Sequence, residues 1–230
     1  MPMRKKRSFP ALLSLAAHHR LFSGLDERSL EAFLAGPLCR MGHYDPFEAV
    51  FLAGDRVKNI GLVVSGRLRI QRENLNGGIE IVGEAEAGDT FAEAFVCAGV
   101  EIMPVSVWAV ESTDVLFVDY ARILSDSEAG KTDAANALFI RNMLKITVGK
   151  LLMLSRKIEV LSKPTTRERL TAYLERFAER DRNGGLVISL NRQELADFLG
   201  VNRSALSREI GRMKNEGVLQ VSGKDFRMIQ

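Results

Sequence analysis

Residues 191–214 read NRQELADFLGVNRSALSREIGRMK, and this stretch decides the fold of the C-terminal part of the chain. Asn191 can cap a helix, and Glu194 can bond back to the amide of that cap, so a helix begins here. Gly200 interrupts the helix because glycine takes left-handed backbone at no steric cost. Asn202 can then cap a second helix. The stretch therefore predicts two helices joined by a tight turn.

The two predicted helices have apolar inner faces that can pack together. The first face consists of Leu195, Ala196, Phe198 and Leu199, and the second of Leu206, Ile210 and Met213. The small Ala196 allows a close approach of the helices. A helical pair that only supports the fold could show the same apolar spacing. The residues on the outer face therefore have to distinguish a structural pair from a pair that binds a ligand.

That outer face is polar and basic, and it carries Asn202, Arg203, Ser204, Ser207, Arg208, Arg212 and Lys214. Arginine and short hydroxyl side chains suit base reading in the major groove, because arginine can bond guanine in a bidentate manner. We therefore interpret the stretch as a helix-turn-helix that binds double-stranded DNA. The predicted DNA-binding residues are Arg203, Ser204, Ser207, Arg208, Asn202, Arg192 and Lys224.

The segments on either side complete this domain. Residues 218–229 predict two short strands around the turn Ser222-Gly223-Lys224-Asp225, which makes the motif winged and offers Lys224 and Arg227 to DNA phosphates. The alternative is a turn whose charges are simply solvated. Upstream, Thr166 begins a helix that we expect to end at Asn183-Gly184-Gly185. Residues 186–190 then predict a short strand.

Residues 132–162 predict one long helix, with no proline and a single glycine, Gly149. Its apolar residues form two stripes, one of Leu144, Leu151, Leu154, Ile158 and Leu161 and another of Phe139, Met143, Ile146, Met153 and Val160. One stripe can cover the preceding domain, and the other can pair with its equivalent in a second subunit. Packing of both stripes inside one monomer is the alternative. We predict a homodimer, with a hinge at Pro164, because the residue before a proline leaves helical geometry.

Residues 45–119 consist of short apolar runs separated by turns that contain glycine. The runs cover residues 48–53, 60–64, 68–71, 79–82, 105–110 and 115–118. Even spacing of this kind is typical of an antiparallel sandwich or barrel. We predict an α+β protein in three parts. An effector-sensing domain of N-terminal helices and an antiparallel β-roll (residues 1–125) is followed by a long dimerisation helix with its hinge (residues 126–163) and a winged helix-turn-helix domain (residues 164–230).

The composition is that of an ordinary globular protein, with 230 residues, 46% hydrophobic residues and a net charge of +3. No run approaches the roughly 18 apolar residues of a membrane span, and the first 20 residues lack the pattern of a signal peptide. We therefore expect a cytoplasmic protein with no membrane partner. No nucleophile and base pattern, metal-spaced histidines or P-loop is present, so we expect neither an enzyme nor a cofactor.

The order of roll, long helix, hinge and winged helix-turn-helix resembles the cyclic-AMP receptor and fumarate-nitrate reduction (CRP/FNR) family of bacterial transcription regulators. The stretches that carry the resemblance are residues 53–55 (AGD), 62–68 (LVVSGRL), 87–93 (AGDTFAE) and above all 191–200 (NRQELADFLG). The resemblance implies a jelly roll of the cupin-like, cyclic-nucleotide-binding type. It also implies a homodimer on a palindromic promoter site, contact with RNA polymerase and an effector, bound between roll and long helix, that reorients the DNA-binding domains.

The resemblance extends to single residues of the two sites. Arg208 aligns with the arginine that reads guanine in this family, while Ser204 stands where a glutamate is usual. Cyclic-nucleotide members bind the phosphate through an arginine and a serine, but Met103 and Pro104 occupy those positions here, and only Glu93 of the cassette is kept. Burying a phosphate without its cation is unfavourable, so we expect a small-molecule effector other than cyclic AMP.

The other effectors of the family fit no better. An iron-sulfur cluster needs four thiolates, and the chain has only Cys39 and Cys97. The histidine of the haem-containing members lies late in the roll, whereas His18, His19 and His43 all precede that region. Redox switching through the two cysteines stays open.

The residues at the expected effector pocket are mostly apolar: Phe91, Glu93, Met103, Val105, Trp108, Leu151, Leu154 and Ser155. A pocket of this kind suits an uncharged or aromatic small molecule. Two alternatives remain. These side chains can simply fill the roll, and the protein can be a constitutive DNA-binding dimer whose roll has lost its ligand.

Overall fold

The computed structural model of the chain describes residues 9–74, 76–182 and 185–228. It divides into two compact units, Met1–Val148 and Gly149–Gln230. The boundary between the units falls inside the long helix, so the second half of that helix belongs with the C-terminal unit. The three-part division at residues 125 and 163 stays a prediction. Within the described residues, no helix is both long enough and apolar enough to cross a membrane.

The N-terminal unit begins with helices α1 (Phe9–His18) and α2 (Glu27–Ala35), joined by a 3-10 turn at Arg20–Phe22. Its strands are β1 (Cys39–Tyr44), β2 (Ala49–Phe51), β3 (Asn59–Ser65), β4 (Arg67–Glu73), β5 (Ile79–Glu86), β6 (Thr90–Phe91), β7 (Ser106–Ala109) and β8 (Thr113–Asp119). The short helix α3 (Glu93–Cys97) follows β6, and α4 (Tyr120–Glu128) and α5 (Ala134–Leu161) follow β8.

The strands form two antiparallel four-stranded sheets, in the orders β1-β8-β3-β6 and β2-β7-β4-β5. This arrangement confirms the predicted roll, and each of the six predicted apolar runs overlaps a strand, although runs 48–53 and 105–110 extend beyond β2 and β7. Sequence reasoning missed β1 and β6. The sequence of β1, CRMGHY, contains no apolar run, and it forms a strand because all six of its residues pair with the largely buried β8.

The roll is filled by an aromatic cluster of Phe51, Phe91 and Phe117, whose ring centroids lie 5.8 to 6.3 Å apart in edge-to-face pairs. All three side chains are buried in the core of the N-terminal unit. Gly61 on β3 makes room for one of them, because a Cβ atom there would lie 2.2 Å from the Phe91 ring. The interior of the roll is thus closely packed around these rings.

The C-terminal unit contains α6 (Thr166–Phe177), α7 (Arg192–Leu199) and α8 (Arg203–Asn215). Its four strands, β9 (Glu179–Arg180), β10 (Leu186–Val187), β11 (Leu219–Ser222) and β12 (Asp225–Met228), form one sheet in the order β11-β12-β10-β9. The β11-β12 hairpin confirms the predicted wing, although residue 229 lies outside the described residues.

The predicted end of α6 is wrong. The helix stops at Phe177, because Ala178 takes an extended conformation and the chain enters a hairpin in which β9 pairs with β10. The Asp181 side chain accepts a hydrogen bond of 2.6 Å from the amide of Gly185 across this hairpin. Asn183 and Gly184, which we expected to end the helix, lie outside the described residues.

Helix α5 begins and ends within two residues of its prediction. One of its two stripes is buried at both ends of the helix, whereas the other is mostly exposed. Phe139 and Met143 are buried in the N-terminal core, and Val160 is buried in the C-terminal core. Met153, which the prediction placed on the same stripe, is 62% exposed. On the other stripe, Leu144, Leu151, Leu154 and Ile158 are 54–63% exposed, and only Leu161 is partly buried.

We expect Gly61→Ala to lower the free energy of unfolding by about 1–3 kcal/mol, because the added methyl would overlap the Phe91 ring in a packed core. Gly83→Ala is the matched control, since a Cβ atom on this β5 residue meets no atom within 4 Å. Urea denaturation of both variants measures the difference. Equal stability of the two variants would contradict the close packing around Gly61.

Candidate nucleic-acid interface

The beginning of α7 has the capping box that the sequence predicts. The Asn191 side chain accepts hydrogen bonds from the amides of Gln193 (2.9 Å) and Glu194 (3.0 Å). In return, the Glu194 carboxylate accepts a bond of 2.6 Å from the amide of Asn191. Gly200 ends the helix in the left-handed region, with φ of +64°. The start and the turn of the motif are therefore confirmed.

Helix α8 begins after Asn202, as the sequence predicts. Asn202 occupies the N-cap position, but its side chain makes no capping hydrogen bond. It is exposed together with Arg203 and Ser204, which follow it in the first turn of α8. The positive end of the helix dipole and the first-turn amides lie at this point, where an anionic phosphate is favoured.

The inner faces of α7 and α8 pack together as predicted. Leu195, Ala196 and Leu199 are fully buried, and Leu206, Ile210 and Met213 on α8 are buried with them. Burial of this face leaves the opposite side of α8 to solvent. The exposed residues there include Arg203, Ser204, Ser207, Arg208, Arg212 and Lys214. The structure thus places four of the predicted DNA-binding residues on one accessible helix face.

Arg192 and Lys224 each contact their own domain. The guanidinium carbon of Arg192 lies 5.1 Å from the centroid of the Phe226 ring, and burial lowers the pKa of this half-buried arginine. Lys224, in the turn between β11 and β12, donates a hydrogen bond to the carbonyl oxygen of Ser189. Both side chains are therefore held at defined positions.

Sequence reasoning missed Arg167, which braces α8 from α6. Its two terminal nitrogens donate hydrogen bonds of 2.7 and 2.9 Å to the two oxygens of the Glu216 carboxylate, and its Nε donates one of 2.7 Å to the Glu209 carboxylate. The hydrogen bonds to Glu216 and Glu209 raise the pKa of Arg167, and the same contact lowers the pKa of Glu216. Glu209 lies in the middle of α8 and Glu216 at its C-cap, so α6 holds the helix at two points.

The predicted effector residues fall into separate groups. Phe91, Met103 and Val105 lie in one buried core, and Glu93 is buried at the start of α3. Trp108 is on the other face of β7, since its strand neighbours Val107 and Ala109 are buried and its cross-strand partner is the half-exposed Arg69. Leu151, Leu154 and Ser155 are exposed on α5 and belong to the C-terminal unit.

The two cysteines lie in the N-terminal unit. Cys39 is on β1, where burial raises the pKa of its thiol to about 12, and desolvation also raises the pKa of Cys97 at the end of α3. Both thiols are therefore poorly ionised at neutral pH. No group of three or more His, Cys, Asp or Glu side chains that could hold a metal occurs in the described part of the chain.

Comparison with known protein families assigns both units. Residues 41–125 match the cyclic nucleotide-binding domain, and residues 168–230 match the Crp-like helix-turn-helix domain. The chain therefore combines a sensor-type roll with a helix-turn-helix, and it belongs to the CRP/FNR family of DNA-binding transcription regulators. The members of this family are regulators rather than enzymes.

Individual relatives agree with this assignment. The chain is 25% identical over 182 residues to the fumarate and nitrate reduction regulatory protein of Escherichia coli, covering 77% of this chain and 70% of the relative. It is also 25% identical over 190 residues to the transcriptional activator FnrL of Cereibacter sphaeroides, covering 79% and 73%. The crystal structure of DNR from Pseudomonas aeruginosa shares the fold, with a TM-score of 0.51 and 19% identity over 98% of this chain and 96% of the other.

Proposed function

We propose that this regulator acts as a homodimer that inserts α8 of each subunit into the major groove of a palindromic promoter site. The observation that carries the proposal is the exposed face of α8, which presents arginine and serine side chains on a helix that Arg167 holds through Glu209 and Glu216. A recognition helix must keep its base-reading side chains accessible while its inner face stays fixed.

Within this face, we assign the main base contact to Arg208. It is exposed in the second turn of α8, and its guanidinium can bond the O6 and N7 acceptors of guanine. Ser204, in place of the family's usual glutamate, removes an acceptor for a cytosine amino group. The half-site should therefore differ from that of the cyclic-AMP receptor. Lys224 in the wing contacts a phosphate, which positions the domain without reading sequence.

The dimer forms through the exposed stripe of α5. Leu144, Val148, Leu151 and Ile158 follow one another at intervals of four, three and seven residues, which is the spacing of a coiled-coil seam. Each of the four is at least 42% exposed in the single chain. A second copy of the same helix covers this stripe and brings two DNA-binding domains together.

The roll senses an uncharged or aromatic small molecule and transmits its presence to α8, and the bound dimer contacts RNA polymerase. Apolar side chains around Phe91, Met103 and Val105, with the buried Glu93, disfavour an anionic ligand. One observation favours a second candidate, a constitutive dimer. The rings of Phe51, Phe91 and Phe117 already fill the roll.

We expect Ile158→Glu to convert the dimer into a monomer at micromolar concentration, because it places an unpaired charge in the apolar seam. Met153→Glu is the matched control, since Met153 is equally exposed but lies on the opposite face of α5. Light scattering gives the masses of both variants. A wild-type protein with the mass of a monomer, or an Ile158→Glu variant that stays dimeric, would contradict the seam.

We expect Arg208→Ala to weaken specific binding by about 1–3 kcal/mol and to relax the preference at one base pair in each half-site. Lys224→Ala should weaken binding to all duplexes alike and reduce the dependence on salt concentration, as loss of a phosphate contact does. Fluorescence anisotropy on specific and scrambled duplexes at several salt concentrations separates the two. Equal loss on both duplexes for Arg208→Ala would make Arg208 a backbone contact instead.

We expect cyclic AMP to produce no binding heat in calorimetry, because Met103 cannot supply the cation that a buried phosphate needs. A screen of uncharged and aromatic metabolites should instead contain a compound that raises the melting temperature by mass action. Micromolar binding of cyclic AMP would overturn the assignment of the pocket. A broad screen without a hit would favour the constitutive dimer.

A further inference from the structure

The last turns of α5 are built into the DNA-binding unit. Val160 is fully buried in the core that also contains Leu170 and Leu199. The Glu159 carboxylate lies 2.7 Å from Nη2 of Arg176 on α6. The Lys157 ammonium lies 5.2 Å from the centroid of the Phe198 ring on α7. The end of the dimerisation helix and the helix-turn-helix therefore share one core.

Arg169 on α6 joins the same parts through the backbone. Its Nε donates a hydrogen bond of 2.8 Å to the carbonyl oxygen of Lys163, two residues beyond the end of α5. Its Nη1 donates a bond of 3.0 Å to the carbonyl oxygen of Leu199, the last residue of α7. Carbonyl groups at helix C-termini lack partners within their helix, and a cation is favoured there.

The geometry of a guanidinium makes this contact directional. Its donors are fixed in one plane, so two bonds to separate carbonyl groups hold those groups at a set distance and angle. Leu199 directly precedes Gly200, the residue at which the chain turns into α8. Arg169 thus links the segment after α5 to the turn that sets the direction of α8.

The link affects DNA binding only when two recognition helices act together, so this inference rests on the proposed dimer. Leu151 and Ile158 of the seam lie in the same unit as α8, so a rigid joint between them fixes the separation of the two recognition helices. One extra base pair between half-sites shifts the second by about 3.4 Å and rotates it by about 35°. A rigid joint cannot follow that change, whereas a loose one can.

We propose that Arg169 is a positioning residue that sets the half-site spacing at which the dimer binds. The neighbouring Arg176 and Glu159 pair contributes less, because both side chains are about half exposed and such surface pairs are weak. Arg169 itself is only partly exposed and lies on α6, away from the outer face of α8 that reads bases. It acts through the direction of α8.

The test uses the full chain and the palindromic duplex that wild-type protein selects from randomised DNA. Affinities are measured by fluorescence anisotropy for this duplex, for versions with the centre one base pair longer or shorter, and for a duplex with one half-site. The variants are Arg169→Met and Arg169→Lys, the second of which keeps the positive charge. Arg156→Met is the matched control, because it removes the same charge from an exposed site on α5, off the seam.

Wild-type protein and Arg156→Met should bind the selected duplex about tenfold more tightly than the duplexes that are one base pair longer or shorter. With the wrong spacing, the dimer can no longer bind both half-sites at once. Both Arg169 variants should reduce this preference to less than about threefold, with half-site affinity within about twofold of wild type.

Three results would overturn the proposal. In the first, the Arg169 variants keep the wild-type spacing preference. In the second, they lose half-site and palindrome affinity in parallel and urea denaturation shows a weakened domain, so that Arg169 only supports folding. In the third, a dimeric wild-type protein shows no spacing preference, so that its joint is loose. A wild-type protein that sediments as a monomer instead refutes the dimer of the proposed function before any variant is compared.

Discussion

Packing of α7 against α8, with Ala196, Leu199 and Leu206 buried in one core, is the interaction on which the DNA-binding surface depends. All three side chains are fully buried, and the small Ala196 lets the helices approach closely. Because this face is buried, the opposite face of α8 must meet solvent, and its arginine and serine side chains become accessible. Arg167 then holds α8 from α6, so the accessible face also has a fixed direction.

Helix α5 connects this surface to the roll, because its two ends enter different cores. Near its start, the Phe139 ring stacks on Phe33 with centroids 5.0 Å apart, and the Asn142 side chain donates to the carbonyl oxygens of Leu21 and Ser23. Near its end, Val160 lies in the core of the DNA-binding unit. The residues between these anchors leave an apolar stripe exposed, which is the basis of the proposed dimer.

Sequence reasoning succeeded where the signal is local and failed where it depends on distant partners. The capping box at Asn191 and the turn at Gly200 were predictable, because both arise from residues within one turn of each other. Strand β1 was not, since its polar residues form a strand only by pairing with β8. Arg167 and Arg169 read as ordinary helix-surface arginines, because the groups that they bind lie about 30 to 50 positions away, apart from the carbonyl of Lys163. The sequence also could not show that Met103 lies in the core of the roll while Trp108 lies on the outer face of β7, because both are large apolar residues.

Hydroxyl-radical footprinting of the wild-type protein on DNA selected from a random pool shows whether two copies of α8 bind one site in a twofold symmetric manner. We expect protection that is symmetric about the centre of the site, with the two half-site centres about 10 base pairs apart, one turn of DNA. A single asymmetric protected patch, with no repeat of its sequence on the opposite strand, would contradict it.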